Sequence, residues 1–297
     1  MRHSKLVLPV AEVAGHGQFH SLGPACMPQV RLLGARRIGL GTREAVLHYR
    51  KGWALLAYLA VERQRHARSR LAALLWPDLS ESAALTNLRQ VLSDLNRAMT
   101  TAVGEGVLLI DRESVQLCPL ASMGLFDVDL LDVASHSGTA LEMEAHGWLA
   151  EAGELLEGLC LDACPEFSDW LACTREWSLR RVLDGMARLR DLAAARGDRR
   201  HALGLARRLV AQDPWNEVHY RALMRLHVQL GEPGMALACF HSLCRRLKAD
   251  LGEEPSRETS TLAESIRTAA RTPDAARGWL REPVLQGALR PALALGG

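Results

Sequence analysis

Apolar residues between Ser80 and Met99 recur at the three- and four-residue spacing of a single helix face. This spacing predicts an amphipathic helix that buries Leu85, Leu88, Leu92 and Leu95. The opposite face lacks the Glu and Lys pairs that are common where a helix meets only water. It carries hydrogen-bonding groups on short or planar side chains, at Thr86, Asn87, Arg89, Gln90, Ser93 and Arg97. A face of this composition is suited to binding.

The stretches around this helix predict further short elements. VRLLGARRIGLG and AVLHYR have the pattern of strands, and KGWALLAYLAVE and RSRLAALLW that of two helices. Pro77 ends the second of these helices, and Asp78 or Ser80 is placed to cap the third, with Glu81 at capping-box spacing from Asp78. GVLLIDRESVQLCP alternates about a polar tip, as a β-hairpin does. Strands, three helices and a hairpin in this order are typical of a winged helix-turn-helix.

From about Asp127 the chain is helix-forming and repeats itself at a shift of 34 residues. Gly197 maps on Gly231 and Ala202 on Ala236, and each copy has the pattern helix, short Gly turn, helix. This period is the tetratricopeptide signature. Such units bury their apolar faces only by stacking. Further helices are therefore expected from EFSDWLACTREWSLRRVLDGMARL on one side and from EEPSRETSTLAESIRTAAR on the other.

These patterns predict a mainly α chain with a small β component, in which a winged helix-turn-helix domain is followed by a tetratricopeptide-like α-helical repeat domain. The expected units are a loose N-terminal leader at 1–27, the winged helix-turn-helix at 28–120, the repeat domain at 127–270 and a C-terminal tail at 271–297.

Charge divides the chain in the same way. Residues 28–120 carry 13 Lys and Arg against 8 Asp and Glu, a net charge of +5. Residues 121–297 carry 21 against 25, a net charge of −4. This division indicates that only the first half meets a polyanion.

The sequence lacks the motifs of several other protein classes. It has no glycine-rich nucleotide loop, nucleophile elbow or zinc-protease motif, so neither an enzyme nor a cofactor is expected. Its seven cysteines are irregularly spaced, and Cys160, Cys164 and Cys173 lack the paired spacing of a metal site. No apolar run approaches the ~20 residues that span a bilayer. A cytoplasmic protein without membrane contact is expected.

Several other residues have ordinary structural interpretations. Asp127 and Asp129 are expected in a loop or turn, and His219 and His227 at a helix surface or interface. Five tryptophans within apolar helical patterns are predicted to be core anchors, namely Trp53, Trp76, Trp170, Trp177 and Trp215.

Taken together, RLLG, LLAYLAV, LAALLWPD, NLRQVLSDLNRAM and LLIDRESVQL resemble the winged-helix half of the antibiotic-regulatory-protein (SARP-like) bacterial transcriptional activators. PEFSDWL, the stretch from ARGDRR to GMAL, and DLGEEPS resemble the bacterial transcriptional activator domain that follows it in that family. The resemblance implies an OmpR-type winged helix whose third helix enters the major groove of DNA. It also implies that the repeat domain serves dimerisation or contact with RNA polymerase. Asp94 and Asn96 stand where family members often carry basic residues, and Asp94 is expected to repel phosphates.

The function expected from these features is a sequence-specific DNA-binding transcriptional regulator, an activator, acting as a homodimer on double-stranded promoter DNA. Arg and Gln side chains match guanine and adenine edges, so the predicted base contacts are Thr86, Asn87, Arg89, Gln90 and Ser93. The predicted phosphate contacts are Arg97, Arg112 at the wing, and Arg68 and Arg70 before the second helix. The alternative is a helical-repeat adaptor whose winged helix binds protein, which salt-dependent DNA binding distinguishes from the first interpretation.

Overall fold

The computed structural model describes residues 28–39, 44–136 and 147–271. The predicted leader at 1–27, and the predicted tail beyond residue 271, lie outside the described residues.

The first part of the described chain is a winged helix-turn-helix. Its helices are α1 (Arg50–Glu62), α2 (Arg68–Leu75) and α3 (Glu81–Ala102). Its antiparallel sheet has the strand order β3–β5–β4, with β3 at His66–Ala67, β4 at Leu108–Ile110 and β5 at Ser114–Leu117. The predicted hairpin is therefore confirmed as β4 and β5. The short strand β3 was not predicted, because two residues are too few to show alternation.

The predicted strands before α1 are only partly formed. β1 (Val30–Arg31) pairs antiparallel with β2 (Arg37–Ile38), but AVLHYR contributes a single bridge, from Ala45 to Ile38. The capping box before α3 is also absent. Ser80 is the N-cap residue, but its side chain makes no cap bond and its Oγ lies 3.3 Å from the Oγ of Ser82.

The second part of the described chain is a stack of antiparallel helices. It comprises α4 (Asp127–His136), α5 (Pro165–Ala195), α6 (Arg199–Gln212), α7 (Glu217–Gln229), α8 (Pro233–Arg246) and α9 (Arg257–Arg271). A short 3-10 helix at Gly147–Glu151 precedes α5, and a π-helical turn at Leu247–Leu251 follows α8. The predicted repeat is confirmed as α5–α6 and α7–α8, with α9 packed on α8.

The repeat turns follow the sequence pattern closely. Gly197 and Gly231 adopt φ of +82° and +78°, the left-handed region that only glycine enters without strain. Ala202 and Ala236 follow them and are fully buried, where small side chains let paired helices approach. One expectation needs correction. EFSDWLACTREWSLRRVLDGMARL is not a separate stacking helix, because it continues into the first repeat helix as the 31-residue α5.

The two parts share one hydrophobic core, which extends from Val30 through Leu88 and Trp148 to Leu209. At their junction the chain segments pass close together. The backbone N–H of Leu156 donates to the carbonyl of Leu32 at 2.8 Å, and a Cβ on Gly153 would lie 2.7 Å from the Cα of Gly34.

Asp127 closes this junction, so its expected place in a loop or turn is wrong. It begins α4, is fully buried, and accepts hydrogen bonds from the backbone N–H groups of Leu32, Leu33 and Val128 at 2.9–3.0 Å. Burial raises the pKa of Asp127 to about 7, against the opposing effect of these bonds. Asp129, two residues further on, also lies in α4 rather than in a loop or turn, and it forms an ion pair with Arg63 at the end of α1.

Four of the five predicted tryptophan anchors, Trp53, Trp76, Trp170 and Trp177, pack partly buried against the shared core. Trp215 is the exception, because half of its surface is exposed and its Nε1 donates to Asp250 at 3.1 Å. His219 and His227 are buried, so of their two expected locations the helix interface is the correct one.

Candidate nucleic-acid interface

Helix α3 turns one face to the core and the other to solvent. Leu88, Leu92 and Leu95 are buried as predicted, whereas Leu85 is only partly buried and marks the edge of the apolar face. The predicted polar positions Thr86, Arg89, Gln90, Ser93 and Arg97 are exposed, and Asn87 is half-buried. The structure therefore brings these side chains together on one helix face.

This exposed face carries no acidic group after the first turn. Between Ser82 and Ala102 the only carboxylate is Asp94, and its side chain is 5% exposed. The carboxylate accepts hydrogen bonds from the backbone N–H of His48 at 3.1 Å, from His48 Nδ1 at 3.1 Å and from Arg97 Nη2 at 2.5 Å.

The expectation that Asp94 repels phosphates is therefore corrected. Burial alone would raise the pKa of Asp94, but the hydrogen bonds from His48 and Arg97 outweigh burial and lower it. The ionised carboxylate is thus turned inward and compensated by its neighbours. The sequence pattern indicates the burial of Asp94, because Asp94 lies on the helix face of the buried Val91, Leu95 and Ala98.

An open groove separates the polar face of α3 from the wing. It is lined by Arg68, Arg89, Leu92, Ser93, Asn96, Arg97, Thr100, Thr101 and Ile110. Asn96 was not among the predicted contacts, although its spacing of three residues from Ser93 places it on the same face. Its amide is a donor and an acceptor that can meet a base edge.

Arg68 joins α2 to the wing. Its backbone N–H donates to the Glu113 carbonyl at 2.8 Å, and its Nη1 donates to the Asp111 carbonyl at 3.3 Å. Arg68 thereby lines the groove between α3 and the wing.

Asp111 gives the wing tip its shape. Its carboxylate accepts from the backbone N–H groups of Glu113 and Ser114 at 2.8 and 2.6 Å, and from the Ser114 hydroxyl at 2.8 Å. These bonds lower the pKa of Asp111 to about 2, with Arg65 adding to the effect. Arg112 stands exposed at the tip of this turn.

Arg70 differs from the other predicted phosphate contacts. It lies exposed on α2, but its guanidinium forms a two-point ion pair with Glu166 in the first turn of α5, with Nη1 at 3.0 Å from Oε2. A phosphate would have to displace Glu166 to bind there.

The N-terminal end of α5 holds the helix-turn-helix in place. Trp170 Nε1 donates to Glu62 of α1 at 2.7 Å, and the Trp170 ring lies 4.9 Å from that of Tyr58. Cys164 Sγ donates to the carbonyl of Leu75 at the end of α2, at 3.1 Å. The start of α5 thus contacts both α1 and α2 of the helix-turn-helix.

Two further findings concern residues 28–39, 44–136 and 147–271 alone. No helix in them is long and apolar enough to cross a membrane. No group of three His, Cys, Asp or Glu side chains in them is placed to hold a metal ion.

Comparison with known proteins adds a match to one domain and a likeness in fold. Residues 128–267 match the bacterial transcriptional activator domain. Among solved structures, Mycobacterium tuberculosis EmbR, in complex with a low-affinity phosphopeptide, matches with a TM-score of 0.58 and 20% sequence identity, over 84% of this chain and 67% of that chain. Comparison with curated proteins found no match. At this identity the likeness to EmbR establishes the fold, a winged helix-turn-helix with a helical domain.

Proposed function

We propose that the chain is a transcription regulator of the antibiotic-regulatory-protein (SARP-like) type and that it binds promoter DNA sequence-specifically through α3. The match of residues 128–267 to the bacterial transcriptional activator domain and the fold that the chain shares with EmbR support this proposal. Because the family and fold are those of transcription regulators, no enzymatic activity is proposed.

The observation that carries this proposal is the exposed face of α3. It presents Arg89, Gln90, Ser93, Asn96 and Arg97 without an outward-facing carboxylate. The neighbouring Arg112 of the wing forms no ion pair with any described residue, and neither does Arg89. Cationic and amide groups left without surface partners are suited to the phosphates and base edges of DNA.

The side chains divide into two proposed roles. Arg89, Gln90 and Ser93, with Thr86 and Asn87 nearer the start of α3, are proposed to contact base edges in the major groove. Asn96 is added to this group because it lines the same groove.

Arg97, Arg68 and Arg112 are proposed to contact phosphates and so to set the position of the protein on the duplex. Arg70 is proposed as a phosphate contact only in exchange for its ion pair with Glu166. The winged helix-turn-helix at 28–120 is proposed to be the DNA-binding unit.

The repeat domain is proposed to serve assembly rather than DNA recognition. It belongs to the net acidic half of the chain, and stacked helical repeats offer extended surfaces to protein partners. We propose that it supports a homodimer or contacts RNA polymerase subunits, that the regulator is an activator, and that it acts in the cytoplasm.

The test is selection of bound fragments from the genomic DNA of the source organism, followed by salt titration of the full chain on a selected and a scrambled duplex. The proposal expects tighter binding to the selected duplex and an affinity for both that falls with salt. If neither duplex is bound at low salt, the function is wrong and the adaptor alternative, in which the winged helix binds protein, takes its place.

A further inference from the structure

His48 lies two residues before α1, where the sequence shows no motif. Its side chain is 63% exposed, yet it is firmly held. Its backbone N–H donates to one oxygen of Asp94, Oδ2, and its ring Nδ1 lies 3.1 Å from the other, Oδ1. Since an ionised carboxylate only accepts, Nδ1 carries the hydrogen of this second bond.

The same carboxylate oxygen also holds Arg97. Arg97 Nη2 lies 2.5 Å from Asp94 Oδ1, and the Arg97 side chain is 70% exposed. An imidazole and a guanidinium therefore meet at one buried oxygen and extend from it to solvent. Arg97 lines the groove beside the wing, and the shared oxygen of Asp94 joins His48 to it.

Arginines in the two elements that flank His48 along the chain already have partners. Arg37 on β2 is paired with Glu44 at 3.4 Å, and Arg50 in the first turn of α1 donates to the carbonyl of Cys160 at 2.7 Å. Among the described residues, Asp94 is the one carboxylate in contact with the imidazole, and His48 Nε2 has no hydrogen-bond partner.

We propose that His48 and Arg97 form a phosphate-binding pair at the edge of the DNA interface, with Asp94 as the residue that positions both. This inference rests on the proposed DNA-binding function. The ligand is one phosphate of the DNA backbone, which receives hydrogen bonds from His48 Nε2 and from the free nitrogens of Arg97.

The contact requires an imidazolium. With Nδ1 donating to Asp94, a neutral ring presents a lone pair at Nε2 and repels a phosphate oxygen, whereas the protonated ring donates from both nitrogens. A neutral His48 therefore takes up one proton from solvent at Nε2 when it binds phosphate. DNA affinity is therefore expected to be higher at pH 6.0 than at pH 8.0, because only the imidazolium donates from Nε2.

The test compares the full chain with His48→Ala and His48→Gln on a duplex of scrambled sequence, because a phosphate contact does not depend on sequence. Affinity is measured by fluorescence anisotropy from 50 to 200 mM NaCl at pH 6.0 and pH 8.0. At pH 6.0 the slope of log affinity against log salt should be about 0.9 smaller in both variants, so that this rise in salt weakens the unsubstituted chain about 3.5-fold more. At pH 8.0 the three slopes should agree.

His201→Ala is the matched control, since His201 is an exposed histidine on α6, in the repeat domain. It should leave the slopes unchanged at both pH values. Equal slopes of the unsubstituted chain and His48→Ala at pH 6.0 would overturn the assignment, and so would a decrease of the same size at both pH values, which indicates a structural effect. If Arg97→Ala lowers the slope while His48→Ala does not, DNA binding stands and the pair alone is wrong. If the unsubstituted chain binds no duplex, both proposals are wrong.

Discussion

The polar face of α3 with the neighbouring wing and the helices of the repeat domain both carry exposed arginines, but not all of these arginines are paired alike. In the repeat domain Arg221 pairs with Glu258 at 3.2 Å, and Arg267 pairs with Glu264 on the next turn of α9. On α3 and the wing, Arg89 and Arg112 form no ion pair with described residues. Arg221 and Arg267 are therefore neutralised within the chain, whereas Arg89 and Arg112 are left for an external anion.

The difference depends on where the carboxylates lie. Asp94 of α3 and Glu258 of α9 both carry a carboxylate, but the side chain of Asp94 is 5% exposed and that of Glu258 is 68% exposed. An inward-facing carboxylate organises the surface without repelling DNA. An exposed one cancels the charge of its arginine, and such surface pairs contribute only about 0–1 kcal/mol to stability. Net charge alone does not reveal this difference.

Asp127→Ala should have the largest effect, because Asp127 joins the two regions. The substitution leaves the buried N–H groups of Leu32 and Leu33 without an acceptor, at about 1–3 kcal/mol each. The free energy of unfolding, measured by urea denaturation, should fall by about 4 kcal/mol in all.

The effect of Asp127→Ala should also depend on pH. Since burial raises the pKa of Asp127 to about 7, its stabilising contribution is complete below about pH 4, the unfolded value, and decreases as the pH rises through 7. The difference between the two proteins should therefore be larger at pH 5 than at pH 8. Asp169→Asn, an exposed change on α5, is the control. A loss below 1 kcal/mol at both pH values would refute the role of Asp127 at the junction.

Asp94→Arg tests the inward-facing carboxylate. A guanidinium at this buried position meets Arg97 and loses the bonds to His48, so stability should fall by about 3 kcal/mol. DNA binding should weaken with it, although the substitution adds positive charge. Thermal melting and anisotropy measure the two effects. Tighter DNA binding with an unchanged melting temperature would show that Asp94 faces the duplex after all.

Arg89→Ala tests base recognition and should leave the fold intact, because the side chain is exposed on the polar face. Loss of a bidentate base contact should remove about 1–3 kcal/mol of discrimination between a selected and a scrambled duplex. Arg225→Ala, at an exposed position of α7, is the matched control and should remove none. Equal behaviour of the two variants would contradict the difference between the two regions.

Arg97→Ala should have the smallest effect and should act on all sequences alike. Removing one phosphate contact should reduce the slope of log affinity against log salt by about 0.9 on both duplexes. Arg221→Ala is the comparison from the repeat domain, where the side chain is paired with Glu258. It should leave the slope unchanged, and a reduced slope there would mean that the repeat domain also binds DNA.

Much of the fold could be predicted from local patterns. The apolar spacing of α1 and α3, the alternation of β4 and β5, and the 34-residue repeat each depend on residues close together in the sequence. Hence the winged helix-turn-helix, the paired helices and the left-handed turns at Gly197 and Gly231 agree with prediction. The boundaries were less predictable, and the continuation of one stretch into the 31-residue α5 was missed, since nothing local marks where a stacked helix ends.

The sequence predicted part of the candidate site. Helical periodicity alone places Thr86, Arg89, Gln90, Ser93 and Arg97 on one exposed face. The sequence did not indicate Asn96 or His48 as site residues. Asn96 stands where members of the resembled family often carry a basic residue, and His48 lies outside any periodic segment.

By itself, then, the sequence determined most of the helices, the β4–β5 hairpin, the order of the two units and the polar face of α3, because these follow from the period of apolar residues along the chain. Only the tertiary structure decided which charges remain available. It buried Asp94 against His48, paired Arg70 with Glu166 over 96 positions and placed Asp127 against the backbone of Leu32, directly after β1. The physical reason is that a charge is available or compensated according to the groups within a few ångströms of it, and those groups come from distant parts of the chain.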